Sequence, residues 1–128
     1  MRIIKHWKPI LISFFILYGS ITSGEHINKV LFLNIPNFDK ITHFIFYLLL
    51  SVFLLASIYR NTALKKMKQI IITLFLVITY GIIMEMLQYY LTTYRYAEIF
   101  DILANTLGCI SGILIFPIFK KLSLIKYL

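Results

Sequence analysis

The chain has 128 residues, of which 60% are hydrophobic and 14% charged, with a net charge of +8 and a mean hydropathy of +0.86. A soluble domain carries roughly 25% charged residues, and so apolar a chain folded in water would expose large apolar patches that aggregate unless a membrane covers them. The basic balance does not point to nucleic acid either, because the charges fall in short clusters between long apolar stretches, as lysine and arginine do at the cytoplasmic ends of membrane helices.

Four apolar runs are long enough, or nearly so, to cross a hydrocarbon layer of about 30 Å at 1.5 Å per residue: Trp7–Ser23, Ile41–Tyr59, Ile70–Leu91 and Ile102–Phe119. They predict an all-α fold: a polytopic transmembrane bundle of about four helices, forming one domain over residues 1–128. The first run has a second reading. Arg2, Lys5 and Lys8 precede an apolar stretch that ends in small residues up to Gly24, a pattern shared with cleaved signal peptides. Trp7 as an interfacial anchor favours a retained helix.

Gly24, Asn34, Pro36 and Asn37 punctuate the first connection, Arg60 to Lys68 form the second, and Thr92 to Glu98 the third. The N-terminus, the middle loop and the C-terminus hold ten of the 13 lysines and arginines; the other two loops hold Lys29, Lys40 and Arg95. That bias predicts cytoplasmic termini and a cytoplasmic middle loop.

With sides assigned, the polar residues gather at the outer ends of the helices. Asp39, Lys40, His43 and Tyr47 open the second run, Glu85 and Gln88 lie in the outer part of the third, Arg95 is in the outer loop, and Asp101 and Asn105 open the fourth. Residues three or four apart share a helix face, so three polar stripes are expected at similar depth. His43 and Asn105 fall about 3–5 Å below the outer helix ends, and Tyr47 and Glu85 about 9 Å. A shared pocket toward the outer leaflet is the simplest arrangement, because an ionisable group facing lipid near the centre costs at least ~2.5 kcal/mol.

Each of these residues has a plainer reading. Asp39 suits a helix N-cap, and Asp101 the positive end of a helix dipole. His43 and Tyr47 suit interfacial anchors, and Gln88 and Asn105 suit hydrogen-bonding glue between helices. Glu85 lies within a continuous apolar run; its plainer role is a buried ion pair with Arg95 or His43. Gly108 and Gly112 form a G-x-x-x-G that lets two helices approach closely, which implies packing within the chain or, alternatively, a homo-oligomer. Cys109, the single cysteine, lies in an apolar run as an inert buried thiol.

The ordered set Asp39-Lys40-x-x-His43-x-x-x-Tyr47, Glu85-x-x-Gln88, Arg95 and Asp101-x-x-x-Asn105-x-x-Gly108 resembles the VanZ-like family of small bacterial membrane proteins, over Asp39 to about Gly112. The resemblance implies a multi-pass cell-envelope protein of the bacterial inner membrane, in a family whose founding member is linked to glycopeptide (teicoplanin) antibiotic resistance. It implies no settled reaction.

Three functions fit. The leading one is a pocket that binds, with or without modifying it, a lipid-linked or amphiphilic envelope molecule, with Arg95 clamping a phosphate or carboxylate bidentately and His43, Glu85 and Asp101 as candidate catalytic acid and base. Asp39, Lys40, Tyr47, Gln88, Arg95 and Asn105 would contact that molecule. The second is a non-catalytic scaffold in which the same residues form a structural polar knot. The third is a metal-assisted hydrolase with zinc on His43, Glu85 and Asp101, against which stands the lack of H-E-x-x-H and of paired cysteines. No cofactor or metal is expected on the leading reading.

Overall fold

The computed structural model describes residues 6–21, 38–91 and 98–122, which form four helices: α1 (Trp7–Ile21), α2 (Phe38–Asn61), α3 (Lys66–Leu91) and α4 (Ile99–Lys121). No strand occurs among the described residues. Helix is what the composition demands, since in lipid a backbone can satisfy its polar groups only within its own helix or in a closed barrel.

α2, α3 and α4 have 24, 26 and 23 residues and are each long and apolar enough to cross a membrane. At 1.5 Å per residue they reach about 34–39 Å, more than the ~30 Å hydrocarbon layer. They begin or end two to four residues beyond the apolar runs, because helix continues into the polar interface. α1 is apolar but has 15 residues, about 22 Å, so it is the shorter fourth member.

α2 stops where side chains take over its last carbonyls: Asn61 Nδ2 donates to the Ser57 carbonyl at 2.8 Å, and Thr62 donates to the Ile58 carbonyl through both its backbone N, at 3.0 Å, and its Oγ1, at 2.8 Å. Four residues then suffice to reach α3, whose start is held by Gln69 Nε2 donating to the Leu64 carbonyl at 2.9 Å. So short a link makes α2 and α3 antiparallel neighbours.

The α2–α4 interface is the most extensive, and glycine explains it. A Cβ on Gly108 would collide with the Phe44 carbonyl oxygen and lie 3.1 Å from the Leu48 N; one on Gly112 would run into Ser51 Oγ and lie 2.6 Å from the Leu48 carbonyl oxygen. The G-x-x-x-G face is therefore occupied by α2 of the same chain. The core beside it joins Ile16, Tyr47, Leu50, Val77, Met84 and Cys109, and the thiol of Cys109 is fully buried. Polar contacts help tie on α1: Tyr80 Oη donates to the Ser13 carbonyl at 2.5 Å, and His6 Nδ1, just before the helix, lies 2.6 Å from Ser57 Oγ.

The two ends of the bundle differ chemically. At one, Lys120 sits over the Tyr59 ring, 4.6 Å from its centroid, near Lys66, beside a cavity of about 190 Å³. Arg60, Lys65 and Lys68 fall at this basic end too. The opposite end, where α2 and α4 begin and α3 finishes, is the polar one.

Candidate functional site

At the polar end three helices each contribute a buried polar stripe. On α2, Asp39, His43 and Tyr47 recur every four residues; His43 and Tyr47 are buried, while the Asp39 side chain stays 46% exposed at the rim. Asp39 lies inside the first helical turn, so the N-cap reading gives way to a residue on the His43 face. On α3, Glu85 and Gln88 are both 2% exposed, and on α4 Asp101 and Asn105 are both 3% exposed. Asp101 occupies the first turn of α4, where the dipole favours an anion, and it also turns inward.

A hydrogen-bonded chain joins the stripes. Asn105 Nδ2 donates to Glu85 Oε1 at 3.4 Å, and Asn105 Oδ1 lies 3.0 Å from His43 Nδ1. A carbonyl oxygen cannot donate, so the bond places a proton on Nδ1. Glu85 Oε1 is also 3.5 Å from Nδ1, so of the two partners expected for Glu85 it is His43 that stands beside it. The other ring nitrogen, Nε2, points to Asp39 Oδ1 at 3.8 Å. Tyr47 stacks one turn below His43, with the rings 5° from parallel and their centroids 6.5 Å apart.

Lys40 closes the rim. Its Nζ donates to Glu98 Oε2 at 2.8 Å and lies 3.7 Å from Asp101 Oδ1. The hydrogen bond and charge of Lys40 hold the Glu98 carboxyl below the usual carboxylate range. Four of the chain's five acidic residues, Asp39, Glu85, Glu98 and Asp101, therefore gather here within a chain of net charge +8.

Three buried oxygens in this cluster have no hydrogen-bond partner: Tyr47 Oη, Glu85 Oε2 and Asp101 Oδ1. Leaving such a group unsatisfied costs about 1–3 kcal/mol each. They mark the places where a polar ligand or water has something to bond.

The structure thus unites Asp39, Lys40, His43, Tyr47, Glu85, Asp101 and Asn105, with Gln88 buried on the Glu85 face of α3. Arg95 lies outside the described residues. One ligand atom each from Asp39, His43 and Asp101 falls within 4.8 Å of the others; Glu85, expected as the third donor to a metal, sits instead on the far side of the His43 ring. Sequence reasoning missed two contributors. Glu98, assigned to the loop, pairs with Lys40, and an acid just before a helix was the available cue. Gly81 makes room for the site: a Cβ there would stand 3.1 Å from Tyr47 Cε1 and 3.4 Å from Asn105 Nδ2. Its position one turn before Glu85 on the same face was readable.

Comparison with curated proteins and with solved structures gives no significant match. The family model described as VanZ/LLP1 matches residues 3–120, which takes in all four helices except the last residue of α4 and every residue of the cluster. Together with three helices long and apolar enough to span a membrane, that match places this chain in the VanZ-like family of membrane proteins.

Proposed function

We propose that the polar end faces the outer leaflet of the bacterial inner membrane, with both termini cytoplasmic, and that its cluster binds the head group of a lipid-linked or amphiphilic envelope molecule. The observation that carries this reading is the set of three buried oxygens without a hydrogen-bond partner, Tyr47 Oη, Glu85 Oε2 and Asp101 Oδ1, gathered toward one end of three helices whose other faces are apolar. An acyl or polyprenyl tail can stay in the lipid along those faces while the head reaches the cluster. His43, Glu85 and Asp101 also bring acid–base groups to the same place, so the site contains what a modification of the bound head group requires. Arg95 remains part of the proposal as a clamp on an anionic head.

A second reading is favoured by one specific observation: the chain Glu85–Asn105–His43 ties α3, α4 and α2 together, as a structural knot would. Photoreactive polyprenyl-phosphate and glycolipid probes in nanodiscs separate the two. The binding reading expects labelling on α2 and α3 near Tyr47 and Glu85 that falls at least about tenfold in Tyr47→Phe or Glu85→Gln protein that still folds. Equal labelling of the wild type and both folded variants overturns it.

A further inference from the structure

We infer that Asp39, His43 and Asp101 form a binding site for a divalent cation of the zinc class, at the rim of the cluster. The inference rests on the reading of the cluster as a ligand site, and it specifies what an anionic head group would meet there.

Three features carry it. The first is convergence: one donor atom from each residue lies within 4.8 Å of the other two, and the Asp39 Oδ1 to His43 Nε2 separation is 3.8 Å. Zinc–ligand distances near 2.1 Å imply a tetrahedral edge of about 3.4 Å, so the donors need to move by only about an ångström. The second is the histidine tautomer. With Nδ1 protonated toward Asn105, the neutral form of the ring carries its lone pair on Nε2, the nitrogen that faces Asp39 Oδ1 and the one a metal would take. A metal-bound histidine usually gives its other N–H to a carboxylate, carbonyl or water, and here that N–H meets the Asn105 amide oxygen with Glu85 behind it. The third is independent of both: the Asp101 side chain is 4% exposed and its Oδ1 has no hydrogen-bond partner.

Lys40 is the competing cation. Its Nζ stands 3.7 Å from Asp101 Oδ1, beyond hydrogen-bonding distance, while its bond goes to Glu98 at 2.8 Å. It therefore pairs with Asp101 Oδ1 by charge and leaves that oxygen without a hydrogen bond. One imidazole and two carboxylates form a nitrogen–oxygen donor set suited to zinc or similar ions. Three protein ligands leave a fourth position for water or for a phosphate oxygen of a bound head group. Such an ion reconciles an anionic head group with an acidic pocket.

The test uses the untagged full chain in detergent, stripped with chelator, equilibrated with zinc chloride and freed of excess ion by gel filtration. Elemental analysis should give close to one zinc per chain. Asp39→Asn and Asp101→Asn should each weaken zinc by at least about tenfold, as losing even a supporting group does, and Lys40→Gln, which removes the competing charge, should tighten it. Asp39 is half-exposed, so Asp39→Asn is the variant expected to keep its helicity. Folded wild type with substoichiometric zinc, or zinc retained equally by Asp39→Asn, overturns the site. A polyprenyl-phosphate probe is applied in parallel: lipid bound without zinc overturns this inference alone, and zinc bound without lipid overturns the lipid reading alone.

Discussion

His43 and Asn105, 62 residues apart in sequence, meet through Nδ1 and Oδ1 at 3.0 Å in a buried contact between α2 and α4. The same amide donates to Glu85 on α3, so a single side chain holds three helices in register. Asn105→Ala strips a partner from His43 and from Glu85 at once, and each buried orphan costs about 1–3 kcal/mol. We expect a lower melting temperature in detergent, and a melting temperature equal to wild type would show that the contact contributes nothing.

The glycines make opposite predictions. Gly108→Ala forces a methyl into the Phe44 backbone, and because backbone cannot rotate away the overpacking should cost about 1–3 kcal/mol. Gly19 in α1 has nothing within 4 Å of its virtual Cβ, so Gly19→Ala should gain helix propensity, up to about 1 kcal/mol. Thermal unfolding of the two variants should move in opposite directions. Equal shifts would mean that α4 does not press on α2 as closely as described.

Lys40 and Glu98 give a pH-dependent contact. The folded Glu98 carboxyl is held below its ordinary value by its hydrogen bond to Lys40, so its contribution to stability is present above that ordinary value, roughly pH 4.5, and disappears as pH falls through the depressed folded value. Both partners are partly exposed, so the effect is small. The melting temperatures of wild type and Glu98→Gln should differ slightly at pH 7 and converge at the acid end. A gap that widens on acidification would have the wrong sign.

Orientation is testable without purification. Reporters fused after Lys66 and after Leu128 should read cytoplasmic and one at Asn34 external, because ten of 13 basic residues fall on one side of the assignment. A cytoplasmic Asn34 would move the polar cluster to the inner leaflet.

The helices and the polar stripes were legible because both depend on local pattern. An apolar run of about 20 residues has few other structures open to it in lipid, and i, i+4 spacing put His43 above Tyr47 before any neighbour was known. What spacing could not supply was the rotation of one helix against another. Spacing put Asp39 on the His43 face and left Glu85 a choice of partners, and only the packing of α2 against α3 and α4 shows that the two carboxylates face opposite ring nitrogens. Gly108 and Gly112 announced a close approach without naming the partner helix. Helix ends were misjudged for a related reason: hydropathy falls at the interface, whereas hydrogen bonding continues to Asn61 and Lys121.

Glu85 decides between a functional site and a structural knot. It is 2% exposed, one oxygen meets His43 and Asn105, and the other is unpartnered. Glu85→Gln keeps the shape and removes the charge. If the carboxylate serves as acid, base or ligand contact, the variant should lose head-group labelling while its melting temperature stays near that of the wild type, since Gln still offers Oε1 to Asn105. If Glu85 exists to neutralise His43 or Arg95, removing it leaves a buried cation without its counter-charge, at a cost of roughly 3–5 kcal/mol for buried pairs. Stability and labelling would then fall together, and Arg95→Gln would show the same coupling from the other partner. The measurement is therefore paired for both variants, labelling in nanodiscs beside melting in detergent. Full labelling by Glu85→Gln would remove this carboxylate from the site, and a loss of labelling that only tracks a loss of stability would leave the cluster as a knot.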